Sequence, residues 1–257
     1  MTVILLRHGR STANTSGVLA GRSPGVHLDD RGRTQADALV ARLGDHLGEI
    51  RAVARSPLDR CAETVAPLLA ALGAGGEAPP EIVVDDLVEV DYGGWTGRPI
   101  RELLTEPLWK VVQQQPSAAV FPDGEGLADV QARAVRAIRE LDRIHGGPDG
   151  SGVWIACSHG DVIKSIIADA MGSHLDSFQR IVVEPASISV IRYGSSRPYV
   201  HAVNTTEILS VPKPPPPSDG HSSSDDAVVG GDTGVDAKHD GADAKHDGAA
   251  TIPAASG

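Results

Sequence analysis

Two short runs in this chain, residues 2–6 (TVILL) and 153–157 (VWIAC), are apolar at almost every position. Neither alternates between apolar and polar residues, so neither is built to lie with one face in water. Both are rich in β-branched or aromatic side chains and too short for a buried helix, and both read as strands. A strand buried on both faces belongs to a parallel sheet covered by helices on each side. Aromatic residues make up only 3% of the chain. The core must then come from Ala, Val, Leu and Ile, which suits the same architecture.

The segments between these runs complete the pattern. Ala36, Leu39, Val40, Leu43 and Leu47 recur at spacings of three and four and predict a helix over 30–47. A strand over 51–55 ends at Ser56-Pro57, with Pro57 placed to open the next helix, 58–72. The stretch 10–29 is rich in Ser, Thr, Asn and Gly and reads as a loop. Residues 82–84 and 87–90 look extended, and 98–122 is irregular with short helical pieces. Helices are expected over 126–144 and 160–171, and a closing strand pair over 187–192 and 199–204. Strand and helix alternate, so the expected class is α/β: a three-layer αβα sandwich with a mostly parallel central sheet flanked by helices.

Ligands of open α/β sheets bind outside the carboxyl ends of the strands. Arg7-His8-Gly9, Ser56-Pro57-Leu58-Asp59-Arg60 and Ser158-His159-Gly160 each follow a predicted strand. The fold would bring two His and two Arg to one rim. Two guanidiniums can grip phosphoryl oxygens and neutralise the charge that develops on them. Their field also keeps a neighbouring imidazole neutral and able to attack phosphorus. Gly9 and Gly160 would let the backbone approach the phosphate. The helix opening at Gly160 would aim its free N–H groups at the same anion. Glu89, at the end of another extended segment, is the candidate acid for a leaving alkoxide.

These segments resemble the motifs of the histidine phosphatase (phosphoglycerate mutase-like) superfamily. Residues 7–14 (RHGRSTAN) resemble its R-H-G-x-[ST]-x-x-N signature, and 56–64 (SPLDRCAET) its S-P-L-x-R-A-x-x-T. Residues 89–97 (EVDYGGWTG) and 121–125 (FPDGE) have counterparts, as do Gly21-Arg22, Leu28 and the stretch 32–36. Ser158-His159-Gly160 matches the second histidine motif, and the resemblance runs in order from residue 2 to 205. It implies a phosphoglycerate mutase-like fold and His8 as nucleophile. Arg7, Arg60 and His159 would hold the phosphoryl group with help from Asn14, and Glu89 would be the proton donor. Gly21, Arg22 and Tyr92 would lie near the organic part of the substrate. No metal and no nucleotide cofactor is implied. Gly126 stands where the family has Ser, and Asp29 where it has Thr. Segment 98–122 offers only Arg98, Arg101 and Lys110, and lacks the adjacent Arg pair with which the mutases hold a substrate carboxylate.

The reading is a metal-independent phosphatase acting on a small phosphorylated metabolite. Its alternatives are a mutase-type phosphotransferase and a non-catalytic phospholigand-binding protein. Arg22 reads equally as a surface charge, Tyr92 and Trp95 as core aromatics, and Cys61 and Cys157 as small buried hydrophobes. Arg10 could face substrate or solvent. A net charge of -11 argues against nucleic-acid binding. A strand at the very start and no apolar run of bilayer length point to no signal peptide, no membrane span and a cytoplasmic protein.

The catalytic domain is expected over 1–209. A Pro/Asp/Gly-rich acidic tail is expected to be disordered over 210–257, where the heptamer DAKHDGA occurs at 236–242 and again at 243–249. Truncation after Val211 is expected to leave steady-state turnover unchanged, and a large loss would show the tail to be part of the site.

Overall fold

The computed structural model describes residues 1–74, 76–147 and 150–207. The expected acidic tail and the last two residues of the expected catalytic domain lie outside the described residues. The chain opens with β1 (Thr2–Arg7) and a short helix α1 (Thr12–Ser16), followed by α2 (Asp30–Asp37) and α3 (Leu39–Leu43). Next come β2 (Ile50–Arg55), α4 (Asp59–Gly73) and β3 (Glu81–Val83). Two small helices, α5 (Ile100–Leu103) and α6 (Pro107–Gln114), precede the long α7 (Leu127–His145). Strand β4 (Val153–Ser158), helix α8 (Gly160–Ala170) and the pair β5 (Ile188–Tyr193) and β6 (Pro198–Thr205) close the fold.

The six strands form one sheet in the order β3-β2-β4-β1-β5-β6. The first four are mutually parallel, and β5 runs antiparallel to both β1 and β6. Alternate residues of each buried strand serve opposite faces. Val3 and Leu5 of β1, with Trp154 and Ala156 of β4, pack against Val130, Ile138, Ile163 and Ile166 of α7 and α8. Ile4, Leu6 and Ile155 face Leu39, Leu43, Val65 and Leu68 of α3 and α4. This is the three-layer sandwich expected from the uninterrupted apolar runs. Among the described residues no helix is long and apolar enough to cross a membrane.

Local chemistry moved several boundaries. The loop expected over 10–29 contains α1, nucleated by a reciprocal cap between Ser11 and Asn14. The single helix expected over 30–47 is broken into α2, α3 and a 3₁₀ turn at Gly44–Glu49, where Gly44 takes φ +51°. Pro57 does not open α4, since Leu58 is the N-cap and the helix starts at Asp59. The strand expected at 87–90 is absent. Asp85–Leu87 is a 3₁₀ turn, and Glu89 follows it on irregular chain.

Gly9 packs its backbone on α2 rather than exposing it to a ligand: a Cβ there would sit 2.7 Å from the carbonyl oxygen of Gly32. A Cβ on Gly32 would overlap the carbonyl oxygen of Arg10. These two glycines hold the loop after β1 against the first turns of α2. Gly32→Ala gains about 1 kcal/mol of helix propensity, but the overlap outweighs it. A net loss of roughly 1–2 kcal/mol is expected in urea unfolding, and an unchanged midpoint would show that the loop can yield.

Candidate active site

The sheet register lines up the site. Arg7 of β1 stands level with Ser158 of β4, and Arg55 of β2 with Cys157. Backbone bonds continue past the strand ends. His8 N donates to Ser158 O at 3.0 Å and Ser56 N to Cys157 O at 2.9 Å. His8, Ser56 and His159 therefore leave the sheet side by side.

His8 is buried, and its Nδ1 lies 2.7 Å from the carbonyl oxygen of Gly9. A carbonyl can only accept, so Nδ1 carries the proton and Nε2 carries the lone pair. Burial, reinforced by the charges of Arg60 and Arg7, holds the ring's pKa well below the usual histidine range. The imidazole is neutral at neutral pH. Arg60 is buried and donates from one terminal nitrogen to Gly21 O at 2.9 Å. Arg7 donates to Val183 O at 2.6 Å, and its buried Nε has no partner among the described residues. Each guanidinium is thus anchored at one end with further donors to spare. Gly160 borders this guanidinium: a Cβ there would meet Arg7 Cζ at 3.5 Å, an ordinary van der Waals contact that the site could accommodate.

His159 is fully buried 5.2 Å from His8 between ring centroids. Its Nε2 meets Ser56 Oγ at 2.7 Å, and its Nδ1 has no hydrogen-bond partner among the described residues, 3.8 Å from Glu89 Oε2. Desolvation, with Arg60 as the next cause, also pushes this ring's pKa well below the usual range. Glu89 accepts from Val90 N at 2.9 Å. Burial and the nearby Asp161 carboxylate raise its pKa to about 7 against the pull of Arg60 and Arg7.

Arg7, His8, Asn14, Gly21, Arg60, Glu89, Tyr92, Gly160 and Asp161 line one cleft of about 180 Å³. His159 stands behind His8 rather than in the cleft wall. Among the described residues, no group of three or more His, Cys, Asp or Glu side chains is placed to hold a metal ion.

Residues 3–206 match the family model of the histidine phosphatase superfamily (branch 1). The chain belongs to that superfamily. A bifunctional protein of Mycobacterium tuberculosis is 32% identical over 210 residues, 80% of this chain and 54% of that protein. The chain thus spans about half the length of the curated relatives it matches first. Phosphoserine phosphatase 1 of Hydrogenobacter thermophilus is 28% identical over 212 residues, 79% of this chain and 92% of that one. Among solved structures, the alpha-ribazole phosphatase of Shigella flexneri aligns with a TM-score of 0.70 at 25% identity, covering 82% of this chain and all of that one.

Some residues singled out from the sequence stand elsewhere than expected. Arg22 is not in the cleft wall. Its Nε donates to Glu89 O at 2.9 Å and its other end pairs with Glu125 at 2.8 Å, so it anchors the backbone of Glu89. Asn14 lies on the wall, but its Oδ1 is occupied by Ser11 N at 3.0 Å and Ser11 Oγ at 2.9 Å. Gly21 takes φ +50°, and a Cβ would come within 3.0 Å of Thr96 Oγ1, so glycine is what lets its carbonyl face Arg60. Arg10 pairs with Asp29 at 2.6 Å. Tyr92 is both core and wall, edge-on to Phe121 with its hydroxyl donating to Asp161 at 2.8 Å.

Asp161 and Arg133 escaped the sequence reading, and Ser56 and Thr64 were quoted there without a role of their own. Asp161 sits in the first turn of α8, where a carboxylate is expected as a partner of the helix dipole and draws no notice. Arg133 pairs with Glu125 at 3.0 Å and reads in sequence only as a polar position of α7. Thr64 lies inside a quoted motif, yet its work is tertiary. Its hydroxyl accepts from Gly9 N at 2.9 Å and donates to Arg60 O at 2.6 Å, tying the His8 loop to α4. Thr64→Val leaves that buried N–H without an acceptor and is expected to cost about 1–3 kcal/mol in chemical denaturation. Thr64→Ser should recover most of it; equal losses in the two variants would assign the effect to packing.

Proposed function

We propose that this chain hydrolyses small phosphomonoesters through a phosphohistidine at Nε2 of His8, without a metal ion. The observation that carries the reading is the His8 Nδ1–H bond to Gly9 O, which leaves a neutral nitrogen lone pair free beside two guanidiniums. The phosphoserine and alpha-ribazole phosphatases among its relatives support the same reaction class.

In the first step Arg7 and Arg60 bind the non-bridging oxygens and neutralise the charge that builds on them. His8 Nε2 attacks phosphorus, the P–N bond forms and the P–O bond to the alcohol breaks. Glu89 passes its proton to the departing oxygen. In the second step the ionised Glu89 takes a proton from water as the oxygen bonds to phosphorus and the P–N bond breaks, which restores both residues. His159 backs His8 from outside the cleft wall, with Ser56 orienting its ring. A pKa near 7 lets one carboxyl group act as acid and then as base at neutral pH. Net hydrolysis, rather than return of the phosphoryl group to a rebound substrate, is favoured by the segment over 98–122. Arg98 there is paired with Glu106 at 2.8 Å, and neither Arg101 nor Lys110 lines the cleft.

Rapid quenching after mixing with substrate should trap an acid-labile phosphoenzyme. His8→Ala should remove it and lower kcat at least about 10³-fold. Because Glu89 must start protonated, kcat/KM for alkyl phosphates should fall as pH rises through about 7. Glu89→Gln should abolish that alkaline limb and slow alkyl esters about 10²–10⁴-fold. A His8→Ala variant that still turns over, or a wild-type rate lost on adding EDTA, would defeat the mechanism.

A further inference from the structure

Beyond the cradle for the phosphoryl group, the cleft has a polarity of its own. Its wall contains two cationic side chains, Arg7 and Arg60, and the reaction proposed above commits both to phosphoryl oxygens. Its other charged groups are both carboxylates, Glu89 and Asp161. Three arginines around it are engaged elsewhere: Arg10 with Asp29 at 2.6 Å, Arg22 with Glu125 at 2.8 Å and Arg98 with Glu106 at 2.8 Å. Glu89 is needed protonated for the first step, so Asp161 sets the sign of the leaving-group side.

Asp161 is held in place. Its Oδ2 accepts the Tyr92 hydroxyl at 2.8 Å, and its Oδ1 meets Lys164 Nζ at 3.4 Å. Lys164 is shared with Gln179 at 3.2 Å and is not part of the wall. A carboxylate oxygen accepts two hydrogen bonds, so each still has capacity for a ligand donor. The rest of the wall includes Val18, Leu19 and Ile100, and Ile100 is 37% exposed at the head of α5. A leaving group placed here meets an apolar surface and a fixed carboxylate, but no cation that is free of the phosphate.

We infer that the leaving-group side of this cleft selects phosphomonoesters whose organic part is neutral or cationic, offers a donor to Asp161 and has an apolar flank, and that it rejects esters carrying a second acidic group. The inference rests on the phosphatase reading above. Specificity here comes from a repulsive element as much as from an attractive one. A carboxylate on the substrate would enter a site whose nearest uncommitted charge has the same sign.

The test uses the full chain and three esters of similar size: phosphoethanolamine, n-propyl phosphate and phosphoglycolate, with p-nitrophenyl phosphate as a check on the chemistry. Wild-type kcat/KM should be at least about tenfold higher for phosphoethanolamine than for phosphoglycolate, with n-propyl phosphate between them. In Asp161→Asn that ratio should shrink to within about threefold, mainly through KM. A wild type that prefers phosphoglycolate overturns the inference whether or not the variant folds. So does a folded Asp161→Asn that keeps the full ratio. Failure to hydrolyse p-nitrophenyl phosphate at all would instead strike at the phosphatase reading itself.

Discussion

Where β1 runs beside β4, Arg7 stands level with Ser158, and the next residue on each strand is a histidine. Parallel pairing keeps that alignment because both strands run the same way and end on the same rim. Strand β2 joins on the far side of β4, delivering Ser56 to the same edge and, in the first turn of α4, Arg60. Shift the β1–β4 register by one residue and every side chain of β1 changes face. Val3 and Leu5 would then trade places with Ile4 and Leu6 between two dry cores, and the two imidazoles would separate. The hydrophobic packing of the sheet and the geometry of the site are therefore enforced by the same pairing.

Once these groups share a buried edge, they set each other's protonation. Burial alone disfavours a charged imidazole, and Arg7 and Arg60 add to the effect at both His8 and His159. At Glu89 burial works in the other direction, favouring the neutral acid, and Asp161 adds to it. The same low-dielectric cleft thus holds a neutral imidazole beside a carboxyl group whose pKa is raised to about 7. Surrounding contacts serve rigidity. Thr64 clamps the His8 loop to α4, while Arg22 and Arg133 both grip the carbonyl of Glu89, at 2.9 Å and 3.3 Å. A cleft carboxyl on irregular chain needs such anchors, because no ladder of strand hydrogen bonds positions it.

Much of this was legible from residue patterns. The apolar runs at 2–6 and 153–157 are strands, the amphipathic stretch at 126–144 is a helix within a residue of its ends, and the rim clusters at His8, Arg60 and His159 meet. Local competition decided what was not legible. Gly44 ended a helix that the apolar spacing carried to Leu47, and the Ser11–Asn14 cap made a helical turn in a stretch that composition marks as loop. Gly9 was misread because its missing side chain faces Gly32 and not the ligand, which depends on what packs against the loop. Arg22 was drawn away by Glu125, a residue distant in sequence with which it forms an ion pair.

The fully buried strands, the helices that cover both faces of the sheet and the chemical types available at its rim follow from the sequence alone, because side-chain period and strand ends are local properties of the chain. Which nitrogen of His8 keeps its proton, which arginines remain free for an anion, and why Asp161 belongs to the cleft were decided only on folding. Those answers depend on partners brought together across the sheet, such as Arg60 from α4 and Gly21 from the loop before α2. Desolvation acts on a charge only after the surrounding layers have closed over it.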